Sequence, residues 1–399
     1  MRYILRFALP YLDKKEIIAS KPVPEETRHQ AIAPYKRKSL SEPNWLIGTL
    51  ANWRITPLLY QVKILLIRFS SIGDIVLTTP LLRCIRRQIP NAEIHYLTKA
   101  QFAPILSANP HIDRLHLLED DLDAMIPVLK AEKFDFIADL HHNLRTARVK
   151  AALEVKSASF PKKNVEKWVL VNLRINMMPD QSIVERYFEA VKPIGVHNDG
   201  GGLEYYIPEL ARISNDDIPT SHWTGYVACV IGGSYATKKL PIAQWKDFCA
   251  KVPFPVILLG GPDDHEEGRL IAEDDPIKIY NSCGKFNINE SAALIERARV
   301  VVSNDTGLMH VAAAFKKPVI SLWGNTSPEI GMFPYYGGNN LKGRISPLSI
   351  IVENKKLWCH PCSKLGYGKC PHGHFKCMKA LNMDLVTENV KKMWTFTNG

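Results

Sequence analysis

One carboxylate, Asp74, closes the turn "SSIGD" directly after an apolar run, "VKILLI". A carboxylate opening a helix can cap it, for about 1 kcal/mol, or can serve as a general base on a cleft floor. The local residues leave both roles open. Ser71 and Gly73 shape the turn, Gly73 because a residue without a side chain bends where others cannot. A single glycine is not the triple of a dinucleotide-binding fingerprint, which disfavours a nicotinamide enzyme.

Two more junctions carry groups suited to a phosphate-bearing ligand. In "VVVSNDTGLMH", a strand runs into the start of an Ala-rich helix, whose first amides make a ready anion site. There Asp305 suits a hydroxyl-bearing sugar, Thr306 and Gly307 offer a hydroxyl and close N–H groups, and His310 lies on the first turn. A helix cap with a satisfied imidazole is the plainer alternative. In "GGSYATKKLP", Thr237, Lys238 and Lys239 precede Pro241, a favoured first helical residue. Lysine beside a helix start suits a diphosphate, although a lysine pair alone usually means a solvated surface. The string "DLD" at 121–123 opens a helical stretch and reads as a cap rather than a metal site.

Positioning these groups requires strands that end at each turn. "VKILLIRF", "AEIHYLTK" and "FDFIADLH" read as buried strands separated by helical spacing, which argues for a parallel sheet covered on both faces. A polar stretch with Gly and Pro at 196–223 reads as a linker. The alternation then resumes with "YVACVIGG", "FPVILLGG", "IKIYNSCG", "RVVVSNDTG" and "KPVISLWGN". The expectation is an α/β chain of two doubly wound, Rossmann-like domains facing a central cleft, where loops gather at strand carboxyl ends. Its parts are a weakly structured extension (1–61), a first domain (62–215), a second domain with a Cys-rich tail (216–378), and a C-terminal helix (379–399) crossing back to the first domain. The extension carries Trp45 and Trp53 beside basic residues, in keeping with a membrane-surface arm.

The totals agree with a two-domain globular chain: 399 residues, 46% hydrophobic and 23% charged. A formal charge of +11 draws the chain toward acidic partners, among them nucleic acid, anionic lipid and phosphorylated small molecules. Arg6 and Pro10 interrupt the N-terminal apolar residues, and no later run is long enough to span a bilayer, so the chain reads as cytosolic.

In order along the chain, "KILLIRFSSIGDIVLTTPLLRCIRRQIPNAEIHYLT", "GGSYATKKLP" and "VVSNDTGLMHVAAAFKKPVISLWGNTSP" resemble the ADP-heptose:lipopolysaccharide heptosyltransferases of glycosyltransferase family 9. The likeness runs from about Val62 to the C-terminus. It implies a GT-B fold, with the acceptor held by the first domain and the nucleotide sugar by the second. It also implies inverting, metal-independent transfer with Asp74 as base and Lys238, three residues before the proline, as the donor-site lysine beside Lys239. Asp305, Thr306, Gly307 and His310 match the family's donor set. An acidic donor contact falls on Asp264 or Glu266, and Phe286 is an apolar cover for the base. Ser71, Gly73, Arg145 and Arg148 face the acceptor. The implied partners are a nucleotide sugar, ADP-heptose by resemblance, and a lipopolysaccharide-core acceptor at the inner face of a bacterial inner membrane, met by a monomer that binds no nucleic acid.

Cys359, Cys362, Cys370 and Cys377, interspersed with three histidines, form a tail cluster that either holds a structural zinc or packs as reduced thiols. Two rival classes follow from the same residues. A GT-B-like epimerase or hydrolase would turn over the nucleotide sugar without an acceptor. A basic zinc-containing nucleic-acid-binding protein would use the charge and the cysteines and ignore the cleft motifs.

Overall fold

The computed structural model describes residues 61–396; the expected N-terminal extension and its tryptophans lie outside the described residues. The first half builds one parallel sheet from β1 (Lys63–Ile67), β2 (Glu93–Lys99), β3 (Arg114–Leu118), β4 (Phe136–Asp139) and β5 (Ser157–Ser159), in the order β3-β2-β1-β4-β5. The second half builds another from β6 (Val227–Val230), β7 (Val256–Leu259), β8 (Ile279–Asn281), β9 (Val300–Asn304), β10 (Val319–Trp323) and β11 (Ser349–Glu353), in the order β11-β10-β9-β6-β7-β8. In each sheet the chain starts at the centre, winds outward to one edge, then returns to the centre and winds to the other. That reversal opens a crevice at the carboxyl ends of β1 and β4, and of β6 and β9.

The helices of the first half are α1 (Ile72–Val76), α2 (Thr79–Gln88), α3 (Leu122–Ala131), α4 (Leu144–Leu153), α5 (Asn164–Leu173) and α6 (Ile183–Phe188). Those of the second are α7 (Ile242–Lys251), α8 (His265–Ala272), α9 (Ile288–Arg297), α10 (Gly307–Ala314), α11 (Lys376–Lys379) and α12 (Met383–Phe396). Central strands are sealed on both faces, as continuous apolar runs such as Ile64–Ile67 and Val300–Val302 require.

Two expectations are corrected here. The last helix does not cross back: Val386, Val390 and Met393 of α12 join the core formed by Trp245, Phe248 and Val302 in the second half. Its apolar stripe finds α7, the nearest uncovered apolar face, and stays there. Helix α1 also begins earlier than expected, at Ile72 with Ser71 as its cap residue, so Asp74 is its third residue and not its first. The aspartates of "DLD" behave as expected: Asp121 caps α3, accepting from the N–H groups of Asp123 and Ala124.

Candidate active site

The question raised by Asp74 is answered by its two oxygens, which do different work. Oδ2 accepts the N–H and the hydroxyl of Ser71, at 3.2 and 2.8 Å, as a capping group would. Oδ1 pairs with Arg68 Nη2 at 2.6 Å and accepts from the Tyr187 hydroxyl at 3.3 Å. Only 18% of the side chain is exposed. Burial alone would raise its pKa, but the Arg68 guanidinium and the Ser71 bonds outweigh this and hold the carboxyl below its ordinary value. Asp74 therefore stays ionised near neutral pH, ready to accept a proton. Arg68 is itself anchored by the carbonyls of Ser70, at 2.7 Å, and Leu140, at 2.5 Å. It is nine-tenths buried, so removing either member of the pair would strand a buried charge at a cost of about 3–5 kcal/mol.

Across from this turn stands the start of α10, and glycines set the spacing. A Cβ on Gly307 would come within 2.7 Å of Ile72 Cβ, and one on Gly73 within 2.7 Å of His310 Cδ2. These contacts press the Asp74-bearing turn after β1 against the start of α10 after β9. His310 is buried, burial holds its pKa down at about 4, and its Nδ1 has no hydrogen-bond partner. The ring is neutral and can accept or donate one bond in the cleft.

The two lysines splay apart. Lys238 Nζ pairs with Asp305 Oδ2 at 2.6 Å, and the same oxygen accepts from Thr326 Oγ1 at 2.8 Å. Lys239 Nζ turns to the next crossover, reaching Asp264 at 2.8 Å and Glu267 at 2.7 Å. Asp264 is buried, and its Oδ2 accepts the Gly261 N–H at 2.8 Å. Thus Asp74, Gly73, Thr306, Gly307 and His310 share one seam, with Lys238 and Asp305 at the same junction and Lys239 with Asp264 beside it.

The other expected residues fall in and around this seam as follows. Glu266 is exposed and forked onto Arg269, so of the two acids only Asp264 joins the lysines. Thr237 spends its hydroxyl on the C-terminal loop, accepting the Tyr367 N–H at 2.8 Å and donating to its carbonyl at 3.0 Å. Arg148 pairs with Asp123 on α3 at 2.5 Å, whereas Arg145 lies over the Phe69 ring, 5.2 Å from its centroid, beside the Asp74 turn. Phe286 is half-buried against the main apolar core just before α9.

Several residues around Asp74 escaped the sequence reading. Tyr187 and Arg186 come from α6, Lys167 from the first turns of α5, Lys162 from the loop just before it, and His141 from the loop after β4. His141 feels Arg68, Asp74, Lys162 and Arg145 at once, and burial holds its pKa down at about 4. Lys167 is pushed down to about 8 by burial and by Arg186, against the pull of Asp74. Arg186 is fully buried, donates to the Ile330 carbonyl at 2.5 Å, and has two nitrogens with no partner. A signal existed only for Arg68, a charge placed straight after five strand residues. The others lie about a hundred residues away and reach the site through packing.

Among the described residues, one set of three possible metal ligands is drawn within 4.8 Å: His95, His116 and Glu132, remote from this seam. Both ring nitrogens of His95 are already engaged, by His116 at 2.9 Å and Glu93 at 2.7 Å, and Lys63 and Arg114 pair with Glu132. That set is a satisfied buried network. The four tail cysteines are all reduced. Cys377 lies within electrostatic reach of the other three, and Cys359 Sγ contacts His374 Nε2 at 3.5 Å.

Two parallel α/β domains meeting at a glycine-lined seam, with Asp74 opposite the start of α10, have the GT-B architecture. The model of glycosyltransferase family 9 (heptosyltransferase) matches residues 124–365. The chain belongs to that family. It is 25% identical over 294 residues to lipooligosaccharide heptosyltransferase 2 of Haemophilus influenzae, covering 67% of this chain and 85% of that protein. It is 23% identical over 331 residues to lipopolysaccharide heptosyltransferase 1 of Escherichia coli K12, covering 76% and 100%. The fold matches the solved E. coli ADP-heptose lipopolysaccharide heptosyltransferase II with a TM-score of 0.63 at 18% identity, over 85% of this chain and 100% of that one.

Proposed function

We propose that the protein moves a heptose from a nucleotide sugar, ADP-heptose being the expected donor, to a lipopolysaccharide-core acceptor, with inversion. The observation supporting this reading is the contact between α1 and α10, which brings Asp74 close to the helix start beside Asp305 and its partner Lys238. In the step, an acceptor hydroxyl oxygen attacks the anomeric carbon. The bond from that carbon to the diphosphate breaks, and the departing oxygen takes the electron pair. Asp74 receives the hydroxyl proton as the new bond forms, a contribution of about 10²–10⁴-fold. Because Arg68 makes Asp74 a weak base, the proton passes late, once bonding to carbon has acidified the hydroxyl. Lys238 releases Asp305 to meet the diphosphate, and the first amides of α10 share its charge. One displacement inverts the anomeric centre, by the logic of inverting glycosidases with the acceptor in place of water. Charge is neutralised by the chain's own cations, so this reading needs no divalent metal in the step.

Asp74→Ala is expected to abolish turnover and leave donor affinity nearly unchanged, whereas Lys238→Ala should weaken both. An Asp74→Ala variant with a third of the wild-type rate would overturn the base assignment. Nucleotide released at the full rate without acceptor would favour the epimerase or hydrolase instead.

The enzyme is read as a monomer at the inner face of the inner membrane, with donor on the second domain and acceptor on the first. The four tail thiols lie outside the reacting groups and either pack as reduced thiols or hold a structural zinc. Segment 359–379 supplies four thiols and four lysines and no carboxylate, which would balance a metal–thiolate centre, but among the described residues no three of its ligand groups are drawn within 4.8 Å of one another. A zinc site would give about one equivalent of zinc in purified protein. Less than about a tenth of an equivalent would leave the cysteines as packing thiols.

A further inference from the structure

Helix α5 is built inside out. Of its ten residues only Leu170 is buried, while Val165 and Trp168 are 72% and 57% exposed. Leu173 at its end is also exposed, and so are Ile175 and Met177 just beyond. Val165, Trp168, Val169 and Leu173 fall on one side of a 3.6-residue helix, so the outward face is the apolar one. A surface helix normally turns that face to the core. Exposed apolar residues gathered in this way, as opposed to scattered singly, mark an interaction surface.

The charges beside the ridge identify its partner. Segment 162–177 holds Lys162, Lys163, Lys167 and Arg174 against one carboxylate, Glu166, which Lys163 already neutralises at 3.1 Å. A tryptophan on an apolar ridge flanked by unneutralised cations matches an anionic bilayer, whose headgroups attract the cations and whose interface accepts the indole. A protein partner with an apolar patch would not require the cations. Nucleic acid would not require the ridge. No described helix is long and apolar enough to cross a membrane, so contact at this face would be peripheral.

We infer that α5 and the residues after it, centred on Val165 and Trp168, form the surface by which this protein lies on an anionic lipid bilayer. The position is apt. Lys167, one residue from Trp168, lies within electrostatic reach of Asp74, and the chain leaving the ridge enters α6, whose Tyr187 bonds Asp74. A membrane under α5 would thus adjoin the mouth of the cleft, where a lipid-anchored acceptor can present its sugar to the base without leaving the bilayer. This last point rests on the function proposed above; the docking surface itself does not.

The full chain is tested against vesicles of neutral phosphatidylcholine and of phosphatidylcholine with about a third phosphatidylglycerol, at low and high salt. Binding is expected only to the anionic vesicles and should weaken with salt. Brominated lipid should quench a fluorescence component that Trp168→Phe removes. The exposed double variant Val165→Ser/Trp168→Ser should bind at least about tenfold more weakly. It should keep wild-type turnover on a water-soluble acceptor fragment, so a failed docking surface and a failed transferase reading give different results. Three results overturn the inference: no vesicle binding by the wild type, unchanged binding by the double variant, or binding that disappears only when residues 1–60 are deleted. Concentration-dependent dimerisation abolished by the double variant, without vesicle binding, would assign the ridge to a second copy of the chain.

Discussion

At the scale of single residues, Asp74 shows that capping a helix and taking part in the proposed chemistry are not competing roles. One oxygen secures the helix start while the other meets Arg68 and Tyr187, and the cap holds the second oxygen in place. Lys167 shows the opposite economy, since it is poorly placed for stability. Its folded-state pKa of about 8 lies below the ordinary lysine value of 10.5, so between these the unfolded chain holds a proton that the folded one has released. Stability therefore rises as pH climbs through that window, and below about pH 8 the folded chain carries the cost of a partly desolvated cation beside Arg186. Lys167→Met should raise the melting temperature at pH 7, by an amount that shrinks as pH approaches 10.5. The same variant should raise KM for an acidic acceptor severalfold, and in the wild type that KM should climb as pH passes about 8. A lower melting temperature in the variant at pH 7 would show that the ammonium is not a burden to the fold.

At the scale of elements, the seam between α1 and α10 depends on two residues without side chains. Alanine usually favours a helix by about 1 kcal/mol over glycine, so Gly307→Ala would stabilise an isolated helix. Here its methyl would meet Ile72 at 2.7 Å, and overpacking of that kind costs about 1–3 kcal/mol. The variant should be less stable, and kcat should fall by at least about tenfold as the base moves away from the donor site. Wild-type rate and stability would mean that the two helix starts have room to spare. The C-terminal loop is a second such device. Through Tyr367 it grips Thr237, and its Cys362 and Ser363 N–H groups donate to the Asn325 carbonyl, both at 3.1 Å. Residues from the Cys-rich tail thereby brace both loops of the expected donor pocket.

At the scale of the whole molecule, two sheets with the same winding turn their crevices toward one seam, and binding across it should be visible globally. A donor at a hundred times its Kd should stabilise the fold by ~2.7 kcal/mol. A thermal-shift comparison of ADP-, UDP- and GDP-linked sugars is expected to single out the ADP-linked ones. Equal shifts with all three would remove ADP-heptose as the assigned donor. The formal charge of +11 belongs to this scale too, because it acts on approach to an anionic surface and not on the geometry of the step.

Much of this architecture was legible in the residues. Buried central strands announce themselves as unbroken apolar runs, and the turns after β1, β6 and β9 carry Asp74, Lys238 and Asp305 in plain view. Three of the four edge strands were not legible: β3, β5 and β11 are short or mix polar with apolar residues, because one side of an edge has no neighbour to exclude water, whereas the edge strand β8 could be read. The lysine pair could be seen but not divided, since partners 67 and 25 residues away decide that Lys238 meets Asp305 and Lys239 meets Asp264. By itself the sequence determined the two-domain α/β class and the residue types at each turn, which depend on periodicity and local backbone preference, while the family followed from the resemblance of its ordered motifs. Only the tertiary structure decided which oxygen of Asp74 is spent on the helix, that Arg68 and Tyr187 tune the other, and that an apolar helix faces outward beside the cleft. Those outcomes depend on distances between segments far apart in the chain, which local chemistry cannot encode.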